Sequence, residues 1–247
     1  MAINWFKYAA PTTFYPLAAR LTPWFGWGAA LFGLLGMYVA FFEAPMADYQ
    51  QGQSYKIIFI HVPAASMSMF IYVVMAVWAA LGMIFNTRMS SMMASALAPT
   101  GALFAFLALW TGALWGRPTW GAYWVWDARL TSELILLFLY LGFIALESAI
   151  DDPKRAARAS GILALVGIVN VPIIYFSVKW WNTLHQGFTL NASEVKMESS
   201  MLTGMLLMVF CFWFYAIAVA LIRVRAVMLE REKNSDWVAE RVAQGKL

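Results

Sequence analysis

Cysteine is almost absent from this chain: Cys211 is the single one in 247 residues. No disulfide can form within the chain and no CxxC metal or redox motif exists, so Cys211 reads as apolar filler inside a hydrophobic run. Charge is scarce too, at 12% of residues, where an ordinary soluble domain carries about 25%. With 62% hydrophobic residues and a mean hydropathy of +0.67, the chain has too little polar surface to cover itself in water, so lipid must solvate most of it. Histidine is limited to His61 and His185. Without a cysteine cluster or an HExxH pair, two histidines cannot close a zinc site, which takes four ligands. No GxxxxGK[ST] pattern is present, so any ATP hydrolysis must come from another chain. The net charge of +4 invites a nucleic-acid reading, but the basic residues fall in short segments between apolar runs rather than in one stripe. That distribution is what membrane topology produces.

A spanning helix needs about 20 mostly apolar residues. Six runs qualify: Trp24–Phe42, Ile57–Phe85, Ala94–Trp115, Leu130–Ile150, Ser160–Val178 and Leu202–Ile222. The predicted fold is all-α, an integral membrane bundle of six transmembrane helices. Residues 1–23, rich in aromatics and holding Pro11, Pro16 and Pro23, are expected to lie at the interface. Residues 24–222 form the membrane domain, with an outward tryptophan-rich loop at 115–129, and residues 223–247 form a basic tail. Counting Lys and Arg on the two sides gives 12 against 5. The richer side is expected to be cytoplasmic, and both termini with it. For a bacterial inner membrane, the other side is the periplasm.

The chemistry-bearing residues fall on the outward side. His61 lies about one turn into the second span, and His185 follows the fifth. Between them runs Trp115-Gly-Arg-Pro-Thr-Trp-Gly-Ala-Tyr-Trp-Val-Trp-Asp-Ala-Arg129. A lone histidine at a membrane boundary is ordinarily structural. Two on one side of the membrane, flanking an aromatic loop, suit the two faces of a flat metal macrocycle, because imidazole is a frequent axial ligand of heme. Trp120, Trp124 and Asp127 are spaced to share a face if the loop is helical, with Tyr123 and Trp126 beside it. Indoles offer stacking surface and one N–H each, while Gly116 and Gly121 let the backbone approach a ligand. Arg117 and Arg129 bracket the loop, and guanidinium groups match carboxylates such as heme propionates. The alternative for all of these is an interfacial aromatic belt with snorkelling arginines.

The string Trp120-Gly121-Ala122-Tyr123-Trp124-Val125-Trp126-Asp127 resembles the WGxxWxWD signature of the tryptophan-rich, WWD-motif heme-handling family, and every fixed position of that signature is met. The six spans and the histidine in each flanking segment resemble the family's shorter members, which act in cytochrome c maturation. The resemblance covers essentially the whole chain. It implies that His61 and His185 are the axial ligands of a non-covalent b-type heme. It also implies that Trp115, Arg117, Trp120, Gly121, Tyr123, Trp124, Trp126, Asp127 and Arg129 belong to its platform. The implied activity is delivery of heme to a periplasmic heme chaperone, a lyase-like transfer without a classical active site. The implied partners are a small single-span membrane subunit, an ABC ATPase and a second membrane subunit.

A rival reading from another class is a bis-histidine b-type cytochrome subunit for electron transfer. His185 in a loop counts against it, since such proteins bury both histidines within spans. A passive heme channel is disfavoured because no row of polar residues crosses the bilayer. Glu133, one turn into the fourth span, reads either as a partner of Arg129 or Arg117 or as a helix N-terminal charge. Asn170-Val-Pro172 interrupts the fifth run, and the proline predicts a bend there. Glu147, Asp151 and Asp152 beside Lys154, Arg155 and Arg158 read as a solvated cluster or a docking point for a cytoplasmic partner.

Overall fold

The computed structural model describes residues 5–45, 52–185, 190–191, 194–195 and 197–245. After a short 3-10 turn, helix α1 runs Pro11–Tyr38 and continues through a wider π turn at Val39–Glu43. A 3-10 turn at Gly52–Ile57 leads into α2, Ile58–Phe85. Helices α3 (Arg88–Trp120), α4 (Ala128–Ala149), α5 (Pro153–Gly167) and α6 (Asn170–Trp180) follow. Two-residue strands β1 (Leu190–Asn191) and β2 (Glu194–Val195) pair antiparallel before α7, Ser199–Arg231, and α8, Asp236–Ala243. Among the described residues, six helical stretches are long and apolar enough to cross a membrane, with α5 and α6 together making the fifth. The fold is an all-helical, multi-pass membrane bundle.

Helices α2 and α3 form the centre. They are joined by two residues, Asn86 and Thr87, with Asn86 in the left-handed region at φ 51° that ends α2. Buried alanines along α3 (Ala94, Ala98, Ala102, Ala105, Ala108) let the neighbouring backbones come close, the small-residue device of membrane interfaces. The larger core residues Met67, Tyr72, Met75, Leu136, Tyr140, Phe143 and Ile174 fill the space between α2, α3, α4 and α6. Helix α1 stands at the edge and packs chiefly along α7, leaving Trp24, Trp27, Leu34 and Phe42 exposed to lipid.

Helix ends follow local chemistry. Pro11 and Pro153 sit in first turns, where the missing N–H removes no hydrogen bond. Asp127 Oδ1 accepts from Leu130 N at 2.8 Å to start α4, and Asp152 Oδ1 accepts from Arg155 N at 2.7 Å to start α5. At the bend predicted for Asn170-Val-Pro172 the α-helical pattern lapses at Ile168 and Val169, which keep right-handed backbone, between the end of α5 at Gly167 and the start of α6 at Asn170. Asn170 is buried there, and its amide donates to the Ser132 carbonyl of α4 at 2.9 Å.

Two boundaries differ from the sequence reading. The first span begins at Pro11 rather than Trp24, and Pro16 and Pro23 lie inside the helix. Tertiary packing accounts for this. Tyr15 is buried, accepts a 3.2 Å hydrogen bond from Arg225 and has Arg241 4.8 Å over its ring. The division at 222/223 is likewise no break, because α7 continues to Arg231.

Candidate functional site

The imidazoles of His61 and His185 meet at one end of the bundle, with ring centroids 6.0 Å apart and planes at 79°. His61 projects from the first turn of α2 and is 8% exposed. Its Nδ1 lies 3.0 Å from the Ala108 carbonyl and 3.1 Å from Thr111 Oγ1, both on α3. A carbonyl only accepts, so this contact places the proton on Nδ1 and leaves the Nε2 lone pair free for a ligand bond. Gly112 makes the approach possible, since a Cβ there would stand 3.0 Å from His61 Cε1. His185 lies beyond the end of α6, its ring edge-on to Trp120 at 5.6 Å. Burial, followed by the positive charge of Arg129, lowers its pKa to about 4, so His185 is neutral at physiological pH and able to ligate.

Around the pair lies a small cavity lined by Ala108, Gly112, Trp120, Trp124, Arg129 and Glu133, together with both histidines. Trp115 stands edge-on to His61 at 5.8 Å. Arg129 donates to the Ile174 carbonyl at 3.0 Å, tying the start of α4 to α6. Trp124 Nε1 is buried without a hydrogen-bond partner among the described residues, and so is Asp127 Oδ2.

The loop is not one helical face, contrary to the spacing argument. Helix α3 ends at Trp120, Gly121 takes φ +80°, and residues 122–127 run irregularly until Asp127 caps α4. Gly121 closes the helix because its left-handed backbone disfavours a side chain, and its N–H reaches the Arg117 carbonyl at 3.0 Å. Trp120 and Trp124 therefore reach the cavity, while Tyr123 (59% exposed) and Trp126 (78%) face outward. Arg117 does not line the cavity. Its guanidinium donates to the Gly121 carbonyl and stands 5.8 Å over the Tyr123 ring. Gly116 lies close to the Trp120 ring and the Ala122 carbonyl rather than to the cavity. Glu133 accepts a 2.7 Å hydrogen bond from Ser68 of α2, not one from either arginine.

The site contains residues that the sequence reading did not select: Ala108, Thr111 and Gly112 on α3, and Glu133 as a wall. The signal for Thr111 and Gly112 was available, a polar and a small residue within an apolar run one turn before Trp115. Their partner, His61, lies some fifty positions away, so nothing local pointed to the contact.

The two imidazoles, 6.0 Å apart between ring centres and with the Nε2 of His61 unengaged, are donors of the kind that would hold a metal atom. The unpartnered Trp124 N–H fits a polar ligand edge. The enclosed space is about 40 Å³, far below the few hundred Å³ of a small-molecule pocket. The donor set, two imidazoles with indoles and a guanidinium beside them, would suit a metal macrocycle, whereas the enclosed space in this structure is too small for its ring.

Fold and site together define a class: a multi-pass helical membrane protein with two adjacent imidazoles set beside tryptophan rings. The chain belongs to the heme exporter protein C family, whose profile matches residues 4–239. It is 47% identical over 234 residues to the heme exporter protein C of Escherichia coli K12, covering 95% of this chain and 94% of that one. It is 39% identical over 227 residues to the protein of that name from Paracoccus denitrificans, covering 91% and 93%. A putative cytochrome c biosynthesis mitochondrial protein of Marchantia polymorpha is 40% identical over 195 residues, covering 79% of this chain and 82% of its own.

Proposed function

We propose that this chain holds a non-covalent b-type heme between His61 and His185 at the periplasmic face of the bacterial inner membrane. From there it presents the heme to a periplasmic heme chaperone during cytochrome c maturation. The observation that carries the reading is the adjacent pair of imidazoles, 6.0 Å apart between ring centres, with the Nδ1 of His61 already engaged. The printed names of the relatives, heme exporter and cytochrome c biosynthesis, support the same direction.

The chain's own residues divide the work. Thr111 and the Ala108 carbonyl fix the tautomer and angle of His61, and Gly112 leaves room for its ring. Trp120 holds His185 from the side, and Arg129 supplies a cation within the cavity for a propionate. The exposed Trp126 and Tyr123 form the surface that a chaperone would meet while the iron stays gripped. Holding one reactant in a fixed orientation is how such a platform speeds bond formation in its partner. Both termini and the basic stretch beyond residue 222 face the cytoplasm in this reading. A small single-span subunit, a second membrane subunit and an ABC ATPase complete the assembly.

The test is an absorption spectrum of the detergent-purified protein and of the His61→Ala and His185→Ala variants. Wild type should carry heme with a six-coordinate, low-spin spectrum, and each variant should lose most of it. Normal heme content in both variants would overturn the proposal.

A further inference from the structure

The end of the bundle opposite the histidines holds a larger cavity that heme handling does not use. It is a cleft of about 750 Å³ where the α2–α3 link, the start of α5 and the end of α7 converge. Its rim carries Arg88, Lys154, Arg158 and Arg231, against Glu147, Asp152 and Glu232.

Most of these charges are already committed. Glu147 is ion-paired with Arg231 and accepts 2.7 Å hydrogen bonds from Ser95 and Ser160. Glu232 lies 3.3 Å from Arg88 and accepts from Trp237 Nε1 at 2.7 Å. Asp152 is occupied capping α5. Lys154 and Arg158 remain, both exposed and neither with an acidic partner among the described residues. Four cations against three carboxylates leave the cleft with a net charge of +1. Its inner wall is apolar, built from Ala79, Met83, Met92 and Phe143. The uncapped start of α3 adds partial positive charge, because the Thr87 hydroxyl donates to Ser90 rather than accepting from the backbone.

We propose that this cleft binds the headgroup of an anionic phospholipid, with Lys154 and Arg158 on the phosphate and the apolar wall against the glycerol and upper acyl chain. A cationic rim above an apolar wall, at the level where helices leave the bilayer, suits an amphiphile better than a hydrated ion. Basic pockets between transmembrane helices recognise such headgroups through charge and hydrogen bonds. A net charge of +1 matches one headgroup phosphate and falls short of a nucleotide's triphosphate.

The test uses the full chain with its heme, delipidated in detergent and exposed to phosphatidylglycerol or phosphatidylethanolamine in mixed micelles. Lipid retained after detergent exchange is read by native mass spectrometry. Phosphatidylglycerol should stay bound and phosphatidylethanolamine should wash out. The Lys154→Ala, Arg158→Ala double variant should retain phosphatidylglycerol roughly tenfold more weakly or worse, with an unchanged heme spectrum. Both positions are exposed, so the variant should fold. Equal retention of the two lipids, or full retention by the variant, would overturn the proposal. Complete displacement by millimolar inorganic phosphate would reduce the cleft to a free-anion site. Absence of bound lipid, together with cross-linking of Lys154→Cys to a co-expressed membrane subunit, would reassign it to a protein contact.

Discussion

Replacing Gly112 by alanine should lower the hold of the site on heme without stabilising the fold. A Cβ at Gly112 would sit 3.0 Å from His61 Cε1 and 3.5 Å from its Nδ1. Carbon atoms prefer separations of about 3.5–4.0 Å, so the imidazole must retreat by roughly 0.5 Å, about the tolerance of a preorganised ligand site. The retreat also stretches the 3.0 and 3.1 Å contacts that fix the ring on the Ala108 carbonyl and Thr111. Loss of such orienting contacts typically weakens metal binding by about 10- to 100-fold, equivalent to about 1.4–2.7 kcal/mol. The helix-propensity gain of Gly→Ala, about 1 kcal/mol, is offset by overpacking against the buried His61 ring, which costs about 1–3 kcal/mol. Heme titration into the heme-free protein gives the first quantity, and thermal unfolding of that same preparation gives the second. Weaker heme binding with no gain in unfolding temperature is expected. Unchanged heme affinity with an unchanged low-spin spectrum would refute the role assigned to the His61–α3 contact.

The remaining predictions concern the loop and His185. Trp120→Ala and Trp124→Ala should reduce heme retention, whereas Trp126→Ala, at an outward indole, should leave heme content intact and slow loading of the chaperone; this is measured as covalent chaperone heme in a co-expression assay. Asp127→Ala should cost about 1 kcal/mol through loss of the α4 cap, while Asp127→Asn should keep it, as read by thermal unfolding. In the heme-free protein His185, with its pKa lowered to about 4, should remain neutral well below pH 6, so heme uptake should hold steady from pH 8 to about 5 and fall as pH drops through about 4. Linkage has the matching sign: between about 6.5 and 4 only the unfolded chain takes up that proton, so acid weakens the fold across this window. An uptake midpoint near 6.5 would show that the imidazole is solvated as in water.

What could be read from the sequence depended on how local the signal was. The six spans follow from apolar runs of sufficient length, and the structure has six such helices. Their ends are less legible, because Pro16 and Pro23 look like breaks, yet packing of Tyr15 against Arg225 and Arg241 carries the helix through them. Trp120, Trp124 and Asp127 could be recognised as a motif but not placed. An i, i+4, i+7 pattern presumes a helix, and Gly121 with its φ of +80° ends that helix at the second letter of the motif. The sequence therefore places Trp120, Trp124 and Asp127 on one helical face with Tyr123 and Trp126 on the next, and offers both Arg117 and Arg129 to a propionate. The chain instead sorts them into Trp120, Trp124 and Arg129 facing the cavity, and Tyr123, Trp126 and Arg117 facing away. Under the proposed function that sorting is chemically useful: a heme carrier that must also let go needs one set of rings to grip and another to be met by the acceptor. An irregular segment between two capped helices can turn alternate side chains to opposite sides over six residues, which a continuous helical face cannot do. The contacts that orient His61 were hidden for the other reason, distance along the chain. They join the first turn of α2 to the last turns of α3, and only the two-residue Asn86–Thr87 link, folding these helices side by side, brings them together.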